Sequence, residues 1–126
     1  MPELPEVETT CKGITPHLKN KTIGKIFIRQ PKLRWPIPAK IKKQLPQQKI
    51  LSVNRRAKYI FINTSIGTLI LHLGMSGSLR IVKAKEPFDK HDHFDLVLKN
   101  GMCLRLHDPR RFGAVLWTTE DPLQHK

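Results

Sequence analysis

Residues 59–82 read YIFINTSIGTLILHLGMSGSLRIV, and three short runs within this stretch are rich in Ile, Leu, Val and Phe. The runs YIFINT (59–64), TLILHL (68–73) and LRIV (79–82) have the length and composition typical of β-strands. Ser65-Ile66-Gly67 and the Gly74–Gly77 loop separate them with residues that favour turns. The stretch therefore predicts three strands joined by short connections.

The same pattern continues on both sides of this stretch. Asn100-Gly101 is a strong type I′ hairpin signal, and IPAKIKKQL (37–45) predicts one short helix among prolines. The remaining strand-like runs are IGKIFIR (23–29), ILSVNR (50–55), HFDLVLK (93–99), MCLRLH (102–107) and AVLWT (114–118).

The N-terminal stretch MPELPEVETT predicts a helix instead. Pro5 suits the first helical turn, and Glu6 and Glu8 lie near the positive end of the helix dipole. Pro16 is expected to kink or shorten the helix. One buried face is predicted from apolar residues at helical spacing, namely Val7, Cys11, Ile14 and Leu18.

Together these elements predict an α+β fold that is mostly β. We expect a two-layer β-sandwich or flattened barrel of about eight strands, with the N-terminal helix packed on it and residues 1–126 forming one domain. Cys11 and Cys103 show no metal-ligand or disulfide spacing, so we expect two buried thiols in a reducing cytosol. No apolar run is long enough to span a bilayer, and the acidic N-terminus is not a secretory signal.

Charge is distributed very unevenly along the chain. The formal net charge is +13, and the stretch between Glu8 and Glu86 holds 17 of the 23 Lys and Arg residues with no Asp or Glu. Such a one-sided field favours a polyanionic partner, most simply nucleic acid. The alternative is a solvated basic surface, as in small ribosome-associated proteins.

Pro2 and Glu3 lie outside the predicted helix and are not explained by capping. A Met-Pro start is usually trimmed, which would leave Pro2 with a free secondary amine, and amines attack sugar aldehyde carbons to form Schiff bases. Glu3 would be within reach as proton donor or acceptor. The alternative is an extended N-terminus without a role.

Two further features combine cations with exposed-looking apolar residues. RRAKY (55–59) offers Lys58 as a phosphate contact or an acid, or else a strand with solvated cations. The loops HLGMSGSLR (72–80) and HDPRRFGAVLW (107–117) place Met75 between glycines and Phe112 after Arg110 and Arg111. Apolar wedges beside arginines are typical of proteins that unstack bases, whereas in the alternative both side chains pack into the core.

His91, Asp92 and His93 are close enough in sequence to suggest a metal site. Three such residues on one strand edge are a weak metal signal, and phosphate contacts explain the histidines equally well.

Taken together, MPELPEVET, LRWP (33–36), RRAKY, HLGMSGSLR, KHDHFDL (90–96) and DPRRFGA (108–114) resemble the N-terminal catalytic domain of bacterial formamidopyrimidine-DNA glycosylase. The resemblance covers nearly the whole chain in order. The start PELPEVE is more similar to this family than to endonuclease eight, which has a glycine in place of Leu4.

The resemblance implies a bifunctional enzyme that excises oxidised purines, chiefly 8-oxoguanine and formamidopyrimidines, and then cleaves the strand by β,δ-elimination. It implies that Pro2 is the nucleophile at C1′, Glu3 the general acid and Lys58 a catalytic contact to the phosphate and sugar. It also implies supporting and DNA-binding roles: Glu6 at the catalytic pocket, Met75, Arg110 and Phe112 in the gap left by the flipped nucleotide, and His91 and Arg111 on the DNA backbone.

The resemblance further implies a monomer acting on damaged double-stranded DNA in the bacterial cytoplasm, associated with the nucleoid and not with membranes. We expect no metal or other cofactor in this chain, because the family's zinc is held by a C-terminal finger beyond Lys126. For this chain alone we expect weak DNA binding and little turnover. The alternatives are a catalytically inactive DNA-binding fragment of that enzyme and, from another class, a basic RNA-binding structural protein.

Overall fold

The computed structural model describes residues 4–120 of the chain. Within them a helix α1 (Leu4–Leu18) precedes eight strands, and a short helix α2 (Ile41–Gln44) lies between the first two strands. The strands are β1 (Ile23–Ile28), β2 (Ser52–Arg56), β3 (Tyr59–Thr64), β4 (Gly67–His72), β5 (Ser78–Lys83), β6 (Asp92–Leu98), β7 (Met102–His107) and β8 (Ala114–Thr118). Every predicted strand run and the short helix are confirmed.

The strands form two antiparallel four-stranded sheets with orders β1-β6-β7-β5 and β2-β3-β4-β8. The core is a continuous cluster of buried aliphatic side chains, with Phe94 as its aromatic member. The predicted β-sandwich, mostly β with an N-terminal helix, is therefore confirmed. Within residues 4–120, neither helix has the length and apolar character needed to cross a membrane.

Helix α1 buries the face that its spacing predicts, since Val7, Cys11, Ile14 and Leu18 are all buried. It packs against β2, β5 and β3. The helix ends two residues after Pro16, and Asn20 follows in the left-handed region with a φ of 67°. This matches the expected shortening by proline and a common way of ending a helix.

One turn differs from its prediction. The β6–β7 hairpin is present, but the Gly101 N–H donates to the Leu98 carbonyl, which makes Lys99 and Asn100 the central turn residues. Neither Lys99 nor Asn100 has a positive φ, whereas Gly101, which follows them, has a φ of 89°. A type I′ turn needs a positive φ at both central residues, so this is instead a three-residue loop with glycine in the left-handed position. The Asn100 side chain favours it by accepting the Met102 N–H at 3.0 Å.

Both cysteines are free and buried, as expected. Cys11 lies on the core side of α1, whereas Cys103 lies in the middle of a sheet. Burial raises the pKa of the Cys11 thiol and raises the pKa of Cys103 to about 11. Thiols held protonated in this way do not fit a zinc site, which requires thiolates.

Candidate nucleic-acid interface

Strand register brings three connections of the second sheet to the same end of the sandwich. The turn at residues 57–58 joins Arg56 to Tyr59, and Tyr59 pairs with His72 at the end of β4. His72 pairs in turn with Ala114 at the start of β8. Turn 57–58, loop 73–77 and loop 108–113 therefore meet there.

The first sheet contributes to the same end. Ser78 pairs with His107, and His107 pairs with Asp92, which places segment 89–91 beside the two loops. The Arg29 N–H donates to the His93 carbonyl at 2.8 Å and brings in segment 29–36. We call this end, made of residues 29–36, 57–58, 73–77, 89–91 and 108–113, the groove end.

Helix α1 also begins at the groove end. Asn20 N–H donates to the Ile50 carbonyl at 2.7 Å, which places the C-terminal end of α1 just before β2 begins. The Arg55 guanidinium, at the far end of β2, donates to the Glu8 carboxylate at 3.0 Å. The helix therefore runs antiparallel to β2, and Leu4 and Glu6 lie on the side of turn 57–58.

An open groove of about 840 Å³ lies at the groove end. Three segments contribute to it, and most of its side chains are either cationic or large and apolar. The lining residues are Lys32, Leu33, Arg34, Gly74, Met75, Arg110, Arg111 and Phe112.

The two predicted wedges are exposed in this groove and are not part of the core. Met75 is 48% exposed and Phe112 is 45% exposed. The Arg110 guanidinium carbon lies 6.0 Å from the centroid of the Phe112 ring. The alternative in which Met75 and Phe112 pack into the core is therefore wrong. Two apolar tips beside arginines are available for insertion into a base stack.

The loops that carry Met75 (73–77) and Phe112 (108–113), which we call the wedge loops, are in direct backbone contact. Gly74 has a φ of 65°, and a Cβ built on it would lie 2.6 Å from the backbone carbon of Phe112. Only glycine tolerates both this conformation and this approach. The Arg34 N–H also donates to the Gly113 carbonyl at 3.1 Å, so three segments interlock around the groove.

A second, smaller depression of about 280 Å³ adjoins the groove. It contains His91, Lys90 and Arg111, and Arg111 also lines the larger groove. The ring centroids of His91 and His93 are 6.2 Å apart. A half-buried imidazole beside two cations suits a phosphate contact better than the interior of the stack.

Lys58 occupies the turn between β2 and β3, where Ala57 has a φ of 52°. The pKa of His72 is held below its usual value by burial of the imidazole ring, with further contributions from Arg34 and Lys58. The His72 Nδ1 accepts the Gly74 N–H at 3.0 Å, which requires a neutral ring with Nδ1 unprotonated. Lys58 therefore lies close enough to His72, the last residue of β4, to lower its pKa. Arg55, three residues earlier, pairs with Glu8.

The suggested His91-Asp92-His93 metal site finds no support from geometry. Asp92 Oδ1 accepts hydrogen bonds from Arg80 at 3.0 Å and His107 at 2.9 Å, and Oδ2 accepts the Asp89 N–H. Burial would raise the pKa of Asp92, but these partners together lower it. Asp89, Asp92 and His107 do bring ligand atoms within 4.8 Å of one another. Their existing partners explain that grouping as an ion-pair network.

The structure thus brings together at the groove end most of the candidate residues: Lys58, Met75, His91, Arg110, Arg111 and Phe112. Glu6 is exposed in the first turn of α1, and Pro2 and Glu3 lie outside the described residues. Sequence reasoning assigned no role to Lys32, Arg34, His72 or Asp108. The Asp108-Pro109 pair, which is typical of a turn start, could have drawn attention to Asp108.

Comparison with known proteins gives the same picture. Residues 1–115 match the family model described as the formamidopyrimidine-DNA glycosylase N-terminal domain. The formamidopyrimidine-DNA glycosylase of Nitrosococcus oceani is 55% identical over 125 residues, and that of Hydrogenovibrio crunogenus is 57% identical over 124 residues. They are matched over 99% and 98% of this chain but over only 46% and 44% of their own lengths.

Solved structures agree at the level of the backbone. The wild-type Lactococcus lactis enzyme in complex with DNA containing N7-benzyl-Fapy-dG superposes with a TM-score of 0.87 at 30% identity, covering 97% of this chain and 45% of that one. The same species' enzyme bound non-covalently to DNA containing an AP site gives a TM-score of 0.86 at 29% identity, covering 94% and 45%. The chain therefore spans about half the length of the relatives it matches. With the family model covering most of its residues, the chain belongs to the formamidopyrimidine-DNA glycosylase family and corresponds to its N-terminal domain.

Proposed function

We propose that this chain carries the catalytic residues of a bifunctional DNA glycosylase and AP lyase that removes oxidised purines from duplex DNA. The observation that carries the proposal is the groove end, where exposed Met75 and Phe112 line one groove with Arg110 and Arg111. Family membership supports the chemistry. The Lactococcus lactis relatives, which were crystallised on DNA with a modified base or an AP site, support the substrate class.

In the proposed mechanism a damaged nucleotide leaves the stack and the wedges occupy its place. Extruding a base costs a few kcal/mol, and less for a damaged pair. Stacking of a base on an aromatic ring returns about 1–3 kcal/mol. Met75, Arg110 and Phe112 would fill the gap, with Arg110 facing the opposite cytosine, while His91 and Arg111 hold the backbone.

The chemistry itself would start at the N-terminus. The Pro2 amine attacks C1′ and the bond to the damaged base breaks, while Glu3 donates a proton that opens the sugar ring. The resulting iminium makes the C2′ proton acidic, so the 3′ and then the 5′ phosphate leave by elimination. Helix α1, which begins two residues after Pro2 in the sequence, starts at the groove end with Leu4.

Glu6 and Lys58 are proposed to support this step from α1 and from turn 57–58. The groups involved are an amine, carboxyl groups and a lysine, so we propose that the reaction needs no metal or organic cofactor. We also propose that the protein acts as a monomer in the bacterial cytoplasm on nucleoid DNA. The relatives named above are bacterial.

Borohydride trapping on a duplex with one abasic site tests the proposal. We expect a covalent adduct whose intact mass equals the DNA plus the chain without Met1, and whose cross-link maps to the N-terminal peptide. A variant with one extra residue ahead of Pro2 is expected to give no adduct, whereas Lys58→Ala should retain one because its amine is not the nucleophile.

The second candidate function is a DNA-binding piece without catalysis, which would use the same cationic groove and would differ only in the covalent step. If the N-terminus is confirmed as free Pro2 and duplex binding is measurable, absence of an adduct would establish this second function and exclude the first. Binding to structured RNA with no preference for DNA would instead indicate the basic RNA-binding protein.

A further inference from the structure

Asp108 is a buried acidic side chain at the start of the Phe112 loop, with no exposed surface. Its two carboxylate oxygens have separate partners. Oδ1 accepts the Arg111 N–H at 3.1 Å, and that N–H also lies 3.2 Å from the backbone carbonyl oxygen of Asp108. Oδ2 accepts the Gly113 N–H at 2.8 Å. The carboxylate therefore holds the backbone on both sides of Phe112.

The backbone of Asp108 is tied to the neighbouring depression. Its N–H donates to the His91 carbonyl at 3.0 Å, and its carbonyl oxygen is 2.9 Å from His93 Nε2. Arg111 and His91 both line that depression. One buried residue thus connects the segment carrying Phe112 to the segment carrying His91.

The loop needs such a support because its conformation is unfavourable in isolation. Arg111 has a φ of 56°, in the left-handed region that residues with a Cβ rarely adopt. Residues held in this region persist where the surrounding structure determines them strongly. The bonds from the Arg111 and Gly113 amides to one carboxylate supply that restraint while Arg110, Arg111 and Phe112 stay exposed.

We propose that Asp108 is a positioning residue that fixes the Phe112 wedge relative to the His91–Arg111 phosphate contact before DNA arrives. Because the wedge is then preorganised, less ordering is needed when it enters the base stack. The inference rests on the proposed function, since it assigns the loop a role in filling the gap. It adds a residue that never touches DNA.

Position 108 requires an aspartate because its side chain must offer two hydrogen-bond acceptors. Two amide N–H groups converge on the side chain, and a carboxylate offers one oxygen to each. In Asp108→Asn one oxygen becomes an NH₂ donor, which would face an amide N–H. The substitution therefore breaks one of the two bonds with almost no change in side-chain shape.

The matched control is Asp92→Asn. Asp92 is also buried, at 3% exposure, and also accepts a backbone N–H, from Asp89 at 2.8 Å. It lines neither the groove nor the smaller depression. Both variants lose a buried carboxylate, and Asp92 also loses its pairing with Arg80 and His107. A loss of wedge function confined to Asp108→Asn therefore reports on the position of Asp108.

The first measurement is amide hydrogen exchange without DNA. In the wild-type chain we expect the Arg111 and Gly113 amides to be protected although their loop is at the surface. In Asp108→Asn we expect the Gly113 amide to exchange about tenfold faster where it loses its acceptor, the change expected for loss of one hydrogen bond. The Arg111 amide should change less, because it keeps the backbone carbonyl of Asp108 at 3.2 Å. In Asp92→Asn both should remain protected.

The second measurement uses a duplex with 2-aminopurine opposite an abasic site, whose fluorescence rises when the wedge unstacks it. We expect Asp108→Asn to lose most of this response and most of the preference for cytosine over adenine opposite the lesion. Its affinity for undamaged duplex should stay within about twofold of wild type, because the phosphate-contacting cations remain. Asp92→Asn should keep the response.

Each outcome decides the inference. If the Arg111 and Gly113 amides of the wild-type chain are not protected, the positioning role is overturned, even where Asp108→Asn fails to fold. An Asp108→Asn protein with unchanged exchange, or with an intact 2-aminopurine response, overturns it as well. If exchange is faster in the variant but the wild-type chain itself gives no 2-aminopurine response, the proposed function is contradicted. The positioning role, which depends on that function, is then contradicted too. Faster exchange together with selective loss of the response supports both.

Discussion

Phe112 and Met75 occupy positions that a stability argument alone would not favour, because large apolar side chains exposed next to arginines gain little from folding. Their exposure makes sense if part of the apolar surface is buried by a ligand. Among residues 4–120, Phe27, Trp35, Tyr59 and Phe88 are also exposed aromatic residues, but they do not line the groove. This contrast supplies the controls for a binding test.

Phe112→Ala is expected to weaken binding to a duplex containing an abasic site by about 1–3 kcal/mol, or roughly 5- to 150-fold, because one base–aromatic stack is lost. Fluorescence anisotropy titration measures the change. Phe27→Ala removes an equally exposed ring from the outer face of β1 and should leave affinity unchanged. Equal losses in both variants would contradict the assignment of Phe112 to the interface.

His72 predicts a pH dependence of stability. Burial and the nearby Arg34 and Lys58 lower its pKa, so the folded chain binds a proton less readily than the unfolded chain. The stabilisation is therefore complete above the unfolded pKa of about 6.5 and is lost as the pH falls below it. Protonation of Nδ1 would also remove the acceptor of the Gly74 N–H.

Urea unfolding at pH 7.5 and pH 5 checks this expectation. His72→Gln should lose part of the acid-induced decrease, and the rest is expected from His93, whose pKa is also lowered by burial. Identical pH profiles for wild type and His72→Gln would refute the assignment.

At the scale of elements, the groove depends on loops that fit against each other more than on any single strand. Gly74 is the point of closest approach, with a φ of 65° and the Phe112 backbone directly opposite its Cα. The Arg34 to Gly113 bond adds the segment after β1. A substitution at Gly74 should therefore change the conformation of both wedge loops.

Gly74→Ala is expected to destabilise the chain by at least about 1–2 kcal/mol from its backbone conformation alone. The contact with Phe112 should displace the loop further, so the 2-aminopurine response should fall as well. Gly13→Ala in α1 is the control, since a Cβ there meets nothing within 4 Å.

The control Gly13→Ala should stabilise helix α1 by about 0.5–1 kcal/mol, as alanine does relative to glycine in helix interiors. Urea unfolding gives both values. A Gly74→Ala protein with wild-type stability and wedge response would show that the two loops move independently.

At the scale of the whole molecule, an ion cluster on the outer face of the first sheet fixes the segment that leads to His91. Arg105 and Asp95 are each 1% exposed and form two hydrogen bonds of 3.0 Å. Arg29 also donates to Asp95, at 2.6 Å, and its guanidinium carbon lies 3.7 Å from the centroid of the Phe88 ring. Arg105 further donates to the carbonyls of Glu86 and Pro87.

Asp95→Asn should lower the free energy of unfolding by about 3–5 kcal/mol, because two arginines lose their shared counter-charge and one of them is buried. Burial alone would raise the pKa of Asp95, but Arg29 and Arg105 lower it overall, so this stabilisation is present at neutral pH and is lost as acid protonates the folded carboxyl. Urea unfolding at neutral pH measures the loss. Glu8→Gln, which removes a surface ion pair with Arg55 and Lys12, should change little by comparison.

The sequence by itself determined the elements of this fold. Short runs rich in Ile, Leu, Val and Phe, separated by turn residues, located all eight strands, and helical spacing located the buried face of α1. These signals are local, since each depends on residues within one element. The turn at Asn100-Gly101 marks the limit of such reasoning, because Asn-Gly indicates a hairpin but does not fix which residues take a positive φ.

The sequence also determined most of the residues proposed for the interface, because wedges beside arginines stand out in a basic chain. Only the tertiary structure decided that Lys58, Met75, His91 and Phe112 lie at one end, and that Met75 and Phe112 are exposed. It also revealed Asp108, His72 and Arg34 as their supports. The physical reason is that strand register and loop-to-loop contact join residues far apart in the chain, and no local pattern encodes which amide a buried carboxylate will meet.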